Sequence, residues 1–423
     1  MIPPPNYVPV PSAVDGIDLF APAPEQPEAH REVVAFNCPQ CGATTAYSVE
    51  NGGLTCSHCG FHEPPAKEIV GKGAEEFEFR LETMERAAHG WGEKRTEMVC
   101  QNCGVKTTIP VDALSHTCAF CDSNKVIQRE APQDDLRPRF LIPFQVKPDQ
   151  CHPISQEWIG NHWMVPKQLR DRKFNAFTAL YLPFWTFDAR TAAAWRAEVG
   201  HERQQSYYDS ASKSWKTRTV IDWHWESGNA SRTFDDLLES ATDRLRPDIL
   251  AEIRQFRLSD LTVFDPSYLA GMQAKGYDVS LDEGWRRARE RMRESTRETC
   301  REQASTSRIR NFSMKLDFQD ESWRYVLLPV YINSFKFKDK TYQVMINGQT
   351  GVISGHRPVD WTKLIWVILA VFSPSVLMAL LAVVTFIFGG GVVFGGLAFV
   401  LFLVALGVSI YLVIDAFKVE GRS

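Results

Sequence analysis

Eight of the ten cysteines stand where they could close around metal ions. Cys38, Cys41, Cys56 and Cys59 form one set; Cys100, Cys103, Cys118 and Cys121 form a second, each 62 residues beyond its counterpart. Both sets read CxxC, a gap of 14 residues, CxxC. Four thiolates suit a soft cation in a closed tetrahedron, for which Zn2+ is the usual choice. Two residues between paired cysteines make a knuckle tight enough for both sulfurs to reach one ion. Gly42, Gly60 and Gly104 follow knuckle cysteines, where the turn needs a permissive backbone. A four-cysteine set leaves no open coordination position, so two structural zinc ions are expected, each replacing a core too small to fold its segment. His58, His62 and His116 lie near the knuckles; with the ligand sets complete they read as surface histidines.

A disulfide framework is the competing use of eight cysteines, and it needs an oxidising compartment. The opening MIPPPNYVPV has neither a basic start nor an apolar stretch, so no secretory signal is expected and the thiols should meet a reducing cytosol. Cys151 and Cys300 stand outside both sets and receive no role.

Other candidate chemistry is sparse. There is no GxxxxGK[ST] phosphate loop, no GxSxG elbow and no HExxH pair. Asp222, His224 and Glu226 alternate with Trp223 and Trp225, so the three share one strand face; a polar face opposite a tryptophan face accounts for them without a site. Asn347-Gly-Gln-Thr-Gly351 could be a ligand loop, but it also suits a plain turn between strands. No catalytic and no cofactor-binding residue is assigned, and the chain is expected not to be an enzyme. Trp158, Trp163, Trp185, Trp195, Trp215, Trp223 and Trp225 could stack bases, although core packing is the commoner use of such rings. Nucleic acid is further disfavoured by charge. Between Arg31 and Glu130 there are 10 Lys+Arg against 14 Asp+Glu, and none of the basic residues lies between Phe36 and His62.

The elements that must position these groups predict a multi-domain α+β protein. Residues 1–30 hold eight of the 24 prolines and read as a disordered tail, with Asp15-Gly-Ile-Asp-Leu-Phe20 as an acidic–hydrophobic string inside it. Zinc ribbons are expected over 31–65 and 98–130, each a small β-hairpin; in the first, Thr44–Val49 is a strand and Asn51-Gly52-Gly53 a turn. A linker over 66–97 carries a helix over 74–88 that His89-Gly90-Trp91-Gly92 stops. A mixed α+β domain follows over 137–360. Its expected strands are 140–146, 179–187, 217–225, 325–338 and 341–353, and its helices 154–169 and 281–310. In the second helix Leu281, Trp285, Ala288 and Met292 make an apolar stripe. A pattern of two apolar residues, proline and an apolar residue marks Leu141–Phe144, Leu182–Phe184 and Leu327–Val330 as related strand ends.

From Leu364 to Ile414 no residue is charged, a stretch of 51 residues that suits two bilayer crossings. Residues 361–415 therefore read as two transmembrane helices, at about 364–388 and 392–414, with Pro374 in the first and Gly389-Gly390-Gly391 as the break. Arg357 and Lys363 flank the start, Lys418 and Arg422 flank the end, and the central turn is uncharged. The positive-inside rule then puts both termini, including a short tail over 416–423, in the cytoplasm. Gly391-xxx-Gly395 also matches a helix-dimerisation pattern, which leaves an oligomer open, though a turn explains those glycines more simply.

Several stretches resemble a family of bacterial membrane proteins with tandem zinc ribbons of the transcription factor IIB type. They are Phe36-Asn-Cys-Pro-Gln-Cys-Gly42, Leu54-Thr-Cys-Ser-His-Cys-Gly60, Gly90-Trp-Gly92, Cys118-Ala-Phe-Cys121, Ile142-Pro-Phe144, Tyr181-Leu-Pro-Phe-Trp185 and Asn347-Gly-Gln-Thr-Gly351. Members are often labelled as like the primosomal replication helicase; without a phosphate loop that activity does not carry over. Some relatives are encoded beside phage-shock-type and SPFH-type membrane-organising proteins. The resemblance therefore implies a scaffold in the bacterial inner membrane that recruits membrane-associated protein partners, in a membrane-stress setting. Residue by residue it carries over the eight cysteines as zinc ligands. The rival expectation is a membrane-tethered nucleic-acid binder of replication or transcription.

Overall fold

The computed structural model describes residues 7–10, 19–22, 36–64, 70–71, 77–78, 96–109, 118–121, 123–130, 136–170, 176–338, 340–386 and 391–421. In chain order, β1 (Tyr7–Val10) pairs antiparallel with β2 (Leu19–Pro22), so part of the tail expected to be structureless carries strand pairing. The first cysteine set is framed by β3 (Thr45–Ser48), β4 (Gly53–Cys56) and β5 (His62–Glu63). β6 (Phe77–Glu78) falls inside the helix expected over 74–88 and is extended instead; the rest of that stretch lies outside the described residues. The second set is framed by β7 (Thr96–Cys100), β8 (Lys106–Ile109) and β9 (Val126–Glu130).

The large domain runs through β10 (Phe140–Leu141), α1 (Cys151–Gly160), α2 (Lys167–Arg170), β11 (Thr178–Asp209) and β12 (Ser214–Ser240). It continues with α3 (Pro247–Ile253), β13 (Thr262–Val263), β14 (Gln273–Ala274), α4 (Leu281–Glu302), β15 (Ile309–Phe337), β16 (Lys340–Asn347) and β17 (Ile353–Gly355). The chain ends in α5 (Trp361–Phe386) and α6 (Gly391–Glu420). One mixed sheet of 12 strands follows the order β13-β10-β15-β11-β14-β8-β7-β9, with β12 on β11, β6 and β16 on β15, and β17 on β16. The strands framing the second cysteine set are thus members of the domain sheet, while β3–β5 form a sheet of their own.

Strands β11 and β15 pair antiparallel along most of their length, and every residue from Leu180 to Phe187 is buried. Such a run is what a strand covered on both faces requires. Tyr181, Trp185, Phe187, Tyr325, Leu327 and Tyr331 enter one core. Their neighbours Leu180, Leu182, Phe184, Val326, Leu328 and Val330 enter the other. The first core is roofed by α4, whose stripe Leu281, Trp285, Ala288 and Met292 is buried as its spacing predicts. A Cβ on Gly284 would lie 2.7 Å from the Trp185 ring, so the absence of a side chain there lets the helix sit down on the sheet. The second core is closed by Ile249, Leu250 and Ile253 of α3.

Beyond residue 187 the strands change character. Ala189, Thr191, Ala193, Trp195, Ala197 and Val199 are buried, whereas Arg190, Ala194 and Arg196 between them are exposed, the alternation of a sheet with one wet face. The strand expected over 179–187 is therefore the buried end of a strand of 32 residues. Similarly, 217–225 belongs to a strand of 27 residues and 325–338 to one of 29. The helix expected over 281–310 stops at Glu302, because Ile309 already pairs with Val199. The helix expected over 154–169 divides into α1 and α2, and the strand expected over 140–146 keeps only Phe140–Leu141. The three proline-marked segments do lie together: Leu141 pairs with Leu327 and Leu182 with Leu328.

The two terminal helices are long and apolar enough to cross a membrane. They pack against each other, with Phe372 and Phe402 ring centroids 5.5 Å apart, and the buried residues of α6 include Ala398, Ala405, Ser409 and Ala416. Val383, Phe386 and Val392 are 72%, 75% and 80% exposed, so these helices are not the core of a soluble fold. Helix α6 runs on through Glu420 and so takes in part of the short tail expected over 416–423. Lys340 Nζ donates to Glu420 at 2.9 Å and Arg357 N–H to Val419 O at 3.0 Å, tying the helix end to the domain, and Trp361 Nε1 at the start of α5 donates to Glu420 at 3.2 Å.

Candidate metal centres

Each cysteine set is assembled by backbone turns before any metal is considered. In the first, Cys38 N–H donates to Ala43 O (2.7 Å) and Gly42 N–H to Cys38 O (2.8 Å). The second knuckle repeats this, with Cys56 N–H on Phe61 O (2.9 Å) and Gly60 N–H on Cys56 O (3.0 Å). Gly42 and Gly60 adopt φ of +74° and +76°, a region that side chains rarely enter. The second set uses the same turn at Cys100, where Gly104 has φ +71°. At Cys118 the amide likewise reaches the fifth residue on, Ser123 O (2.9 Å), but the return bond to Cys118 O comes from Cys121 N–H (3.3 Å).

These turns bring the four sulfurs of each set within 4.8 Å of one another. Cys38 and Cys59 lie 3.4 Å apart, Cys41 and Cys56 3.5 Å, and both Cys100–Cys121 and Cys103–Cys118 3.6 Å. A tetrahedron with metal–sulfur arms of ~2.3 Å has edges of about 3.8 Å, so both sets fit a four-coordinate metal ion. The thiols are also biased unevenly. Backbone N–H groups of Cys59 and His58 hold Cys56 down to about 6. Burial opposes ionisation of Cys100, yet the N–H groups of Cys103 and Asn102 bring it down to about 7. Burial pushes Cys103 up to about 11. One thiolate forms readily in each set, and a bound cation is what lets its crowded neighbours follow. His58 and His62 are exposed and belong to neither set, while His116 lies outside the described residues.

The two sets are mounted differently. The first touches the domain through Tyr47, whose N–H donates to Ala270 O (2.9 Å) and whose ring meets Tyr268 at 5.2 Å. A Cβ on Gly271 (φ +73°) would come within 3.0 Å of Ala46 Cβ, so the contact depends on glycine. The second set is built into the second core: Cys100, Cys118, Ala119 and Phe120 pack with Phe140, Leu250 and Val330. Ser334 Oγ donates to the carbonyls of Ala119 (3.1 Å) and Phe120 (2.9 Å), and Thr108 Oγ1 to Ala274 O (2.7 Å).

The remaining candidates resolve into structural roles. Asp222, His224 and Glu226 share one face of β12, but each carboxylate has its own partner. Asp222 accepts from Arg203 Nε at 2.6 Å, and Glu226 pairs with His201 (3.2 Å) and with the Ser305 hydroxyl and N–H. The Ser305 hydroxyl holds the Glu226 carboxyl below its usual range. The Asn347–Gly351 loop is a clasp within the domain. Asn347 Oδ1 accepts from the N–H groups of Gln349 (2.8 Å) and Thr350 (3.0 Å), and its Nδ2 donates to Ile253 O (2.8 Å). A Cβ on Gly348 would strike Phe144 at 2.6 Å, and Phe144 meets Tyr181 at 5.1 Å. Three of the resemblance stretches thus converge on one packing point. Cys151 and Cys300 are buried, and burial raises both thiols.

Sequence reasoning missed one group. Asp188, Asp235 and Asp236 bring carboxylate oxygens within 4.8 Å at a β-bulge where Phe187 and Ala189 pair with Leu237 and Phe234. Asp236 has φ +58°, and buried Arg324 lies 2.9 Å from its carboxylate and 3.5 Å from that of Asp188. The adjacent acids Asp235-Asp236 were the only local hint; the bulge and the arginine are products of pairing.

No protein-family model matches this chain, and no solved structure matches it. The chain is 22% identical over 336 residues to YdjG of Bacillus subtilis (strain 168), described as an uncharacterized protein, an alignment that covers 78% of this chain and 92% of that protein.

Proposed function

We propose that this chain is a non-enzymatic adaptor anchored in the bacterial inner membrane, and that its ribbons and sheet domain present a rigid cytosolic surface to protein partners. Zn2+ would fill both cysteine sets, held by Cys38, Cys41, Cys56 and Cys59 and by Cys100, Cys103, Cys118 and Cys121. Its chemistry there is to cross-link the knuckles, not to activate a substrate. The observation that carries the reading is that one domain holds a four-sulfur set on its own sheet strands, has a second docked on it through Tyr47, and is tied to two membrane-length helices. The end of α6 is clamped to the domain by Lys340 and Arg246, the latter donating to Gly421 O at 2.7 Å. A partner docked on the domain is thereby fixed relative to the bilayer, and a preformed surface binds without a large ordering cost. Membrane-organising proteins of the phage-shock and SPFH type are the partners that the family resemblance suggests. The acidic balance around the ribbons disfavours the nucleic-acid alternative.

In-cell crosslinking followed by purification from membranes, with and without nuclease, tests this. Wild type should enrich a small set of membrane proteins whether or not nuclease is added. Cys38→Ser and Cys100→Ser should lose them while remaining membrane-inserted. Normal recruitment by both variants, or recovery of nucleic acid alone, would sink the proposal.

A further inference from the structure

The far end of the sheet carries a feature that the adaptor reading leaves unused. Pairing between β11 and β15 ends at Val199–Ile309, while β11 and β12 continue together to Asp209–Ser214. The hairpin therefore projects past its third strand by roughly 30 Å. Among the described residues β12 pairs with β11 alone, so its other edge is open. The direction of its backbone groups follows from Gly200. Its N–H donates to Arg308 O (2.8 Å) and its carbonyl accepts from Thr306 Oγ1 (2.9 Å), both on the β15 side. In an antiparallel ladder successive residues face opposite edges. Val199, His201, Arg203 and Gln205 thus face β12, and through the register so do Asp222, Val220 and Arg218 face β11. The N–H and C=O groups of Trp215, Thr217, Thr219, Ile221 and Trp223 point outward from the open edge.

Composition supplies the rest. Thr217, Thr219, Val220 and Ile221 are strong strand formers, and a strand edge with outward N–H and C=O groups is a template for another strand. Of the devices that blunt natural edges, proline and a bulge are absent between Ser214 and Ile221, and the two charged side chains there, Lys216 and Arg218, are drawn to β11 by Asp209 and by Gln205 and Tyr207. From Lys213 to Trp223 there are three cations, Lys213, Lys216 and Arg218, and one carboxylate, Asp222, which accepts from Arg203 Nε at 2.6 Å. Lys216 is answered by Asp209. Arg218 rests on neutral groups, the Gln205 amide (3.1 Å) and the face of Tyr207 (5.4 Å). Lys216 and Arg218 share one face of the strand; Trp215, which is 73% exposed against Tyr208, shares the other with Thr217, Thr219 and Ile221.

We infer that the outer edge of β12 from Lys213 to Trp223 is a docking strand for an extended acidic segment of a partner protein. The segment adds to the sheet by main-chain hydrogen bonds, with carboxylates over Lys216 and Arg218 and apolar residues alternating over Trp215, Thr219 and Ile221. This deepens the adaptor proposal and rests on it, since it says where one partner is held.

The test uses full-length protein in detergent micelles and a short fluorescent peptide of alternating Glu and Val. Three comparison probes are a Lys–Val peptide, the Glu–Val peptide N-methylated on alternate amides, and oligothymidine. Saturable binding of the Glu–Val peptide alone is expected. Thr219→Pro, which removes an outward N–H and leaves the β11 ladder intact, should weaken it about tenfold. Arg218→Glu, a surface change without backbone consequences, should weaken it by a similar factor, and N-methylation should do so with the protein unaltered. No binding by the Glu–Val peptide, or equal binding of the N-methylated peptide, would overturn the inference. So would tighter binding of oligothymidine lost in Trp215→Ala, or self-association of the protein through the same edge. Partner recruitment in cells separates the two proposals. Loss in the cysteine variants with full retention in Thr219→Pro removes the docking strand and keeps the adaptor. Peptide binding by wild type with normal recruitment in Cys38→Ser and Cys100→Ser does the reverse.

Discussion

The two cysteine sets have one spacing and two very different surroundings. The first stands on a three-stranded sheet of its own and meets the domain through Tyr47, which enters the first core, with Phe36, Val49 and Leu54 packed against that core. The second shares strands with the domain sheet and lends Cys118, Ala119 and Phe120 to its core. The pair therefore separates two uses of a metal knuckle. In one a bound metal would fold a local module; in the other it would be a rivet in a larger fold, its binding energy spreading into the neighbouring strands.

The largest expected effect that would break this contrast comes from the buried sulfurs. In metal-loaded protein Cys118→Ser should lower metal content by one ion and lower the Tm of the region before α5 by about 10 °C or more. Cys38→Ser should remove the other metal and leave that transition nearly unmoved. Calorimetry with metal analysis reads both, and equal shifts would show that the two mounts are equivalent. Next comes Phe120→Ala, which deletes a ring buried against the second core: about 3–5 kcal/mol is expected with metal content unchanged. Tyr47→Ala should act more locally. Limited proteolysis over residues 36–63 should speed up markedly, with a smaller fall in Tm than Phe120→Ala gives.

Chelator competition sharpens the comparison without mutation. Cys41 and Cys59 are exposed while Cys103 and Cys121 are partly covered, so the first set should release its metal several-fold faster. A single release rate would count against separate environments. The smallest effect is Ser334→Ala, which leaves the Ala119 and Phe120 carbonyls short of their hydroxyl donor. It should cost about 1 kcal/mol in chemical denaturation and nothing in metal affinity.

Both ligand sets were legible because coordination imposes its own spacing on the chain: two residues per knuckle and a glycine after three of the four pairs. The membrane-length helices were legible because 51 uncharged residues admit few other fates. The stripe of α4 was legible for its period, although its end was not. The residues after Glu302 are as polar as those before it, and strand pairing at Ile309 decides where the helix stops. The extent of β11 was hidden for a related reason. Residues 189–199 include five alanines and several charges, a composition with no strand preference, and pairing on both edges holds them extended. The acidic cluster at Asp188 and Asp236 could not be foreseen, since a register shift of one residue creates it.

By itself the sequence determined two four-sulfur sites, an α+β domain and a membrane-length helical pair, each encoded by local spacing or unbroken hydrophobicity. Tertiary structure alone decided that one ribbon is riveted into the sheet and the other leans on it. It also decided that α6 is clamped through Glu420 and that β12 projects with an open edge. These are outcomes of pairing between residues far apart in the chain. Identical local spacings can be satisfied in many surroundings, and only the competition for the same buried surface selects one.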